Sequence, residues 1–307
     1  MQNVNVRRAL PVHVTWIVGG VLTWILVRLM LKVRLGQNSH TYWAAWQGDW
    51  RTEMYDIAPG FPDAFNYAPA FAQAIWPLAQ LPWPVFGILW SLASVVALTY
   101  LLKPLGWRWV LPLLLCGSQE ILSGNIFWVL ALVVAFGLGR SATSGALWAV
   151  PFLTKVTPAL GPLWFAVRRE WRPFFASGLT TVVIVAMSYA LSPDLWRQWL
   201  AFLTDNESST RQVGWVLLPA LIYRLPVAIG LTIWGALTNR TWTVPLAMAL
   251  ATPVTGIAAF TMLAAIPRLG LRAERNTQVE DPRTVEVTGV EAGQPGHDEV
   301  GGRSALD

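Results

Sequence analysis

The sequence predicts an all-α, polytopic transmembrane helical bundle of about 8–10 crossings, some of them short and broken into hairpins. Three observations predict it. Only 13% of the 307 residues are charged and 54% are hydrophobic, whereas soluble domains carry about 25% charged residues. Apolar runs of about 20 residues, enough to cross a bilayer core, recur along the chain. Many of the 19 Trp stand beside loops, at Trp43, Trp46, Trp50, Trp83, Trp107, Trp171, Trp196 and Trp199, where indole rings favour the membrane–water interface.

The same composition excludes other classes. A lone Cys116 in an apolar stretch leaves no intramolecular disulfide and no cysteine metal site. The three His are scattered, so neither a metal nor another cofactor is expected. The net charge of +5 sits at segment ends, as membrane topology requires. No basic stripe with interleaved aromatics is present, so no nucleic-acid partner is expected.

In chain order, a first helix is expected over 11–33, uncleaved because no small-residue cleavage site follows MQNVNVRRAL. Residues 35–67 read as a long polar and aromatic loop containing Asp49, Asp56 and Asp63. The stretch 68–82, APAFAQAIWPLAQLP, is apolar but broken by proline, which predicts short helices lying in the interface. Apolar segments follow at 84–102, 107–118, 125–139, 145–167, 173–191, 214–238 and 241–267. From 273 the composition is polar with few aromatics, predicting a disordered cytoplasmic tail after a membrane domain of 1–272.

Loop charges set the sidedness. Arg7, Arg8, Lys103, Arg108 and Arg140 all read as cytoplasmic. So do Arg168, Arg169 and Arg172, although a single apolar segment separates them from Arg140. The conflict disappears if 145–167 is a helical hairpin bent at TKVTP, where Pro158 removes a backbone donor and disfavours helix before it. The plain alternative is one tilted helix and an imperfect charge rule. A second break, TPVTG at 252–256, returns Arg268, Arg272 and Arg275 to the same side. Lys155 is the only charged residue between Arg140 and Arg168 and stands at the first apex. An ammonium at bilayer depth costs ~2.5 kcal/mol or more, which makes it a functional candidate by default.

Several stretches then form a colinear pattern: NSHTYWAAWQGDWRTEMYD, FNYAPAF, WPLAQLPWPVFGILW, SGNIFWVLALVVAFGLGR, LTKVTP, RREWRPF and SPDLWRQWLAFL. Over residues 10–268 this order resembles glycosyltransferase family 87, integral-membrane enzymes of the GT-C fold that include polyprenol-phosphate-mannose-dependent mannosyltransferases. The resemblance implies a multi-pass enzyme of a bacterial plasma membrane, embedded among membrane lipids. It would move a hexose, mannose in the first instance, from a polyprenyl-phosphate-linked sugar donor to a lipid or glycan acceptor at the outer face. A catalytically inactive relative that binds lipid-linked sugars, or a transporter, stays open beside it.

Residue by residue, Lys155, flanked by Thr154 and Thr157, suits the carrier phosphate, whose negative charge grows as the sugar departs. A lysine that snorkels and pairs with a carboxylate is the bland reading. Asn125 is placed to cap the helix of 125–139 and offer its amides to an anion, or to cap it and nothing more. Tyr67 serves either to stack on a sugar or as an interfacial anchor. The resemblance implies an Asp general base in the first outer loop, but Asn38 stands there, and an amide cannot accept the proton. The replacements in the same loop are Asp56 and His40, then Asp49. A second departure lies in TPVTGIAAF, where Gly256, Ala258 and Ala259 replace the polar residues usual in the family.

Overall fold

The computed structural model describes residues 12–32, 34–58, 61–155, 159–205, 219–252 and 256–271. Thr157, the N-terminal arginines, Arg272, Arg275 and the proposed tail lie outside them. The chain divides into a compact unit, Met1–Leu269, and a C-terminal segment, Gly270–Asp307. Among the described residues the regular structure is helical throughout.

Three helices are long and apolar enough to cross a membrane: α1 (Val12–Met30), α5 (Trp83–Leu102, continued by a 3-10 turn) and α12 (Trp171–Leu191). The chain is a membrane protein on this evidence. Ile17, Val21 and Trp24 on α1 and Phe175, Leu179, Val182 and Met187 on α12 are exposed, as on helices solvated by lipid.

Shorter helices fill the rest. They are α2 (Gln37–Ala44), α3 (Trp50–Glu53), α4 (Pro69–Ala79), α6 (Trp107–Cys116), α7 (Ser118–Ser123), α8 (Phe127–Gly137), α9 (Ala142–Ala146), α10 (Ala149–Thr154), α11 (Gly161–Val167), α13 (Pro193–Asp205), α14 (Leu221–Leu237) and α15 (Thr243–Ala251). The last is α16 (Ile257–Leu271), whose first part, Ile257–Ala265, is a 3-10 helix.

The segment 145–167 is a hairpin, not a rod. α10 stops at Thr154, and Lys155 leaves helical backbone at φ −141, ψ 82. The chain then returns. Gly161 lies so close to the Trp148 indole that a Cβ there would collide with the ring. Farther down, Arg140 Nε meets Glu170 Oε1 at 3.2 Å. The pairs 148/161 and 140/170 are nested, and both centre on Lys155.

A second return follows α15. Thr252 leaves the helix in extended backbone. A Cβ on Gly256 would come within 3.9 Å of Gln119 Nε2 on α7. At the far end of the same stretch, Arg268 donates to the Tyr100 carbonyl at 2.6 and 2.9 Å. The bundle therefore has two ends. Tyr100, Arg140, Arg168, Glu170, Asn239 and Arg268 mark the basal end, where Arg168 also donates to the Ala236 carbonyl and Asn239 Oδ1 at 3.1 Å each. The α7–α8 turn and both chain reversals mark the apical end.

Between the ends, α8 packs on α15 and α16 through Leu130, Ala131, Val134, Ala247, Met248, Ala259 and Met262. Small residues let helix backbones approach closely where lipid supplies no hydrophobic drive.

The apical layer is more ordered than a loop. Residues 35–67 contain α2 and α3, and 68–82 yields the single helix α4 with Pro77 inside it. Indole N–H groups pin the layer: Trp43 donates to the Leu81 carbonyl at 2.8 Å and Trp46 to the Ala72 carbonyl at 3.0 Å. Buried indoles need such partners. α13 lies outside the expected apolar segments. Pro193 in its first turn and the helical spacing of Leu195, Trp196, Trp199 and Phe202 are the signals that carry it. Leu195 and Phe202 pack into the apical aromatic cluster.

Candidate functional site

Lys155 enters the apical layer because of where α10 stops. Its N–H still donates to the Pro151 carbonyl at 2.8 Å, so the last turn is complete before the backbone departs. The Thr154 hydroxyl is occupied by the Val150 carbonyl at 2.7 Å. Nζ then lies 4.8 Å from the centroid of the Phe127 ring and 5.3 Å from that of Tyr67. A cation over two ring faces is attracted by both quadrupoles.

Tyr67 links this lysine to the first loop. Its hydroxyl is 3.0 Å from that of Tyr42 on α2, and its carbonyl accepts from the Tyr55 hydroxyl at 2.9 Å. Tyr42 is fully buried, edge-on to Phe71 and Trp90. α2 docks on the α7–α8 turn, where Gly36 N–H donates to the Leu122 carbonyl at 2.7 Å. Gly124, at φ 66, is required there: the conformation is left-handed, and a Cβ would strike the Ser39 side chain.

This docking sorts the candidates on the first loop. Asn38 lies one helical turn before Tyr42 and shares its face. His40 is roughly 200° around the helix from Tyr42, at 3.6 residues per turn. It sits in a separate cluster, with Nδ1 2.6 Å from Asp63 Oδ1 and Arg34 Nη1 2.8 and 2.9 Å from its two ring nitrogens. Its ring packs against Trp83 and Trp43. Asp49 and Asp56 flank α3 and are exposed. The structure thus gathers Lys155, Tyr67 and the Asn38 face, puts His40 in the Arg34–Asp63 cluster, and leaves Asp49 and Asp56 exposed on either side of α3.

Asn125 adjoins the site in a role other than the expected cap. α8 begins at Phe127, and no side chain of the preceding residue caps it. Asn125 Oδ1 accepts from Ile126 N–H at 2.8 Å, while its carbonyl accepts from Trp90 Nε1 at 3.0 Å. The helix start is held by Glu120, whose Oε1 accepts from Trp128 N–H at 2.9 Å. A carboxylate takes this place because the first-turn amides lack intrahelical partners and the helix dipole favours negative charge there.

Glu120 is the residue that sequence reasoning missed. Its signal was present: it is the only acidic residue between Asp63 and Glu170. It lies on α7, in the turn between α6 and α8 and outside the apolar spans. Its side chain is 0% exposed. Among the described residues its Oε2 has no hydrogen-bond partner, nor do the neighbouring Gln119 Oε1, Ser123 Oγ and Trp128 Nε1. Burial pushes its carboxyl up to about 8, against the pull of the Trp128 amide, the Lys155 ammonium and the Phe127 amide. Lys155 and Glu120 thus interact electrostatically across a gap wider than an ion pair.

Beside the hairpin runs an apolar groove of ≈ 850 Å³, lined by Phe152, Pro162, Phe174, Phe175 and Leu179. Among the described residues no group of His, Cys, Asp and Glu is arranged to hold a metal ion.

Comparison with known proteins now bears on this geometry. Over 177 residues the chain is 26% identical to the polyprenol-phosphate-mannose-dependent alpha-(1-2)-phosphatidylinositol pentamannoside mannosyltransferase of Mycolicibacterium smegmatis. The match covers 52% of this chain and 43% of that relative, so the chain aligns with less than half of the relative's length. No solved structure matches. The family model for glycosyltransferase family 87 matches residues 65–280. That range begins after α2 and leaves Asn38 outside it, but takes in Tyr67, Glu120, Asn125, Lys155 and both chain reversals. With well over half of its length inside the match, the chain belongs to glycosyltransferase family 87.

Proposed function

We propose that this protein is a multi-pass plasma-membrane glycosyltransferase that moves a hexose, mannose in the first instance, from a polyprenyl phosphate carrier to a lipid or glycan acceptor at the outer face. The observation that carries the reading is the placement of Lys155, turned inward over Tyr67 and Phe127 at the apex of a hairpin. A lysine with only a solubilising task would extend toward the membrane surface instead.

The basal arginines, Arg140, Arg168 and Arg268, belong on the cytoplasmic side by the positive-inside rule, which puts Lys155 at the opposite face. There the leaving polyprenyl phosphate gains negative charge as the glycosidic bond stretches. A fixed ammonium in a site walled by aromatic rings lowers that barrier. The isoprenoid chain takes the apolar groove, whose lining includes Phe152, about one turn before Lys155. The acceptor hydroxyl approaches from the α2 side, and the reaction requires no cofactor.

The test is transfer from labelled polyprenyl-phosphate-mannose in membranes containing the protein. Lys155→Ala is expected to lose roughly 100-fold or more of the rate, the usual effect of removing one preorganised electrostatic partner. Undiminished transfer by that variant overturns the reading.

A further inference from the structure

We propose that Glu120 is the general base of the transfer, taking the proton of the acceptor hydroxyl on Oε2. The assignment rests on the transferase reading above and adds to it the one group that reading lacks.

Three observations lead to it. A base must be a carboxylate or imidazole within reach of the reacting atoms. On α2 the face shared with Tyr42 offers Asn38, an amide, while His40 lies on the opposite side with Asp63 and Arg34. Glu120 and Lys155 meet at the start of α8, the carboxylate on the Trp128 amide at 2.9 Å and the ammonium 4.8 Å from the centroid of the Phe127 ring. The two carboxylate oxygens are also unequal. Oε1 accepts from the Trp128 amide, whereas Oε2 is buried without a partner among the described residues. Buried polar atoms are nearly always satisfied, so an orphaned carboxylate oxygen on a helix whose Gln119 Oε1 and Ser123 Oγ are orphaned too marks a place for polar groups that arrive with the substrates.

The step balances. Glu120 acts from its ionised form, whose share grows as pH rises toward about 8: as the acceptor oxygen bonds to the anomeric carbon, its proton passes to Oε2. The carbon–oxygen bond to the carrier phosphate breaks, and its electron pair leaves on the phosphate beside Lys155.

The competing role is structural, a carboxylate that does no more than cap α8. Glu120→Gln separates the two, because the amide oxygen still accepts from Trp128 N–H but cannot take a proton. The purified variant is expected to bind polyprenyl phosphate within about twofold of wild type and to transfer sugar roughly 100- to 1000-fold more slowly. Transfer at the wild-type rate overturns the assignment, and so does a loss that follows entirely from weakened carrier binding. If Glu120→Gln does not fold, Glu120→Asp decides. It keeps an ionisable group and is expected to retain partial activity with a displaced limb in the pH profile of kcat/KM. An unmoved limb overturns the proposal. Among the described residues the other titratable or charged groups acting on Glu120 are Tyr42 from α2 and Lys155 after α10, so the profile is also recorded in Tyr42→Phe. The limb is expected to persist there, and its disappearance assigns it to the phenol and overturns the proposal. A wild-type protein that transfers nothing from any polyprenyl-phosphate sugar defeats the transferase reading itself, a result distinct from an active Glu120→Gln.

Discussion

Gly161 rests on the indole of Trp148, and that contact turns a stretch legible as one transmembrane helix into a hairpin. The Trp148 N–H, meanwhile, donates to the Gly137 carbonyl at 2.8 Å, so the ring cannot move aside without losing a buried bond. Any side chain at 161 must therefore displace a fixed ring. Gly161→Ala is expected to destabilise the protein by about 1–3 kcal/mol, the range for overpacking a filled interior. Thermal unfolding in detergent measures it. Combining Gly161→Ala with Trp148→Phe should recover part of the loss, and a double variant less stable than the sum of the two singles contradicts the contact.

The nesting of Arg140 with Glu170 around Lys155 has a topological consequence. Both ends of the hairpin are therefore expected on one side of the membrane. In a Cys116→Ser background, Arg140→Cys and Arg172→Cys should react with an impermeant thiol reagent from the same face, and Asp56→Cys from the other. All three positions are exposed. Labelling of 140 and 172 from opposite faces would restore the single tilted helix.

How much of this was readable in the sequence depended on where the chain meets lipid. The spans α1, α5 and α12 were plain because a lipid-facing helix is apolar all round. The two reversals were readable through charge, since Arg140 and Arg168 could not otherwise share a side. The apical layer was not readable. Its helices α2, α3 and α13 bury aromatics that serve equally well as interfacial anchors, so Trp43 and Trp199 carry no sign of which they are. The site was half visible. Lys155 stood out as an isolated charge, while Glu120 was passed over because its partners, the amides of α8 and the Tyr42–Tyr67 pair, come from separate elements. Asn125 has the sequence signature of a cap, but Glu120 supplies the cap.

Glu120 also makes stability depend on pH. Its carboxyl has an ordinary value of 4.5 and is raised to about 8 in the fold. The folded protein therefore holds a proton that the unfolded chain has released across that interval, and stability falls as pH rises through it. Glu120→Gln has no such proton. Its unfolding temperature relative to wild type is expected to climb between pH 4.5 and about 8 and to level off above. Lys155 opposes the burial effect, so Lys155→Ala should extend that climb to higher pH. A difference between wild type and Glu120→Gln that stays flat across the range would place the carboxyl in a polar setting.

The second reversal is held by a residue that neither chemistry nor periodicity singled out. Arg224 on α14 is 5% exposed. Its guanidinium donates to the Pro219 carbonyl and, through Nη1, to the carbonyls of Leu250 at 2.6 Å and Thr252 at 3.0 Å. Those last two are carbonyls at the end of α15, which a helix terminus leaves without intrahelical partners. A guanidinium reaches all three because its donors fan out in one plane, whereas an ammonium on a shorter stem cannot. Arg224→Lys should therefore strand at least one buried carbonyl, a loss of about 1–3 kcal/mol. Because Gly256 emerges from this reversal beside Gln119, next to Glu120, the damage should reach the site. Transfer is expected to fall in Arg224→Lys even at temperatures where the protein stays folded, and a variant that unfolds earlier yet transfers normally would show that the α15–α16 turn does not set the geometry of α7.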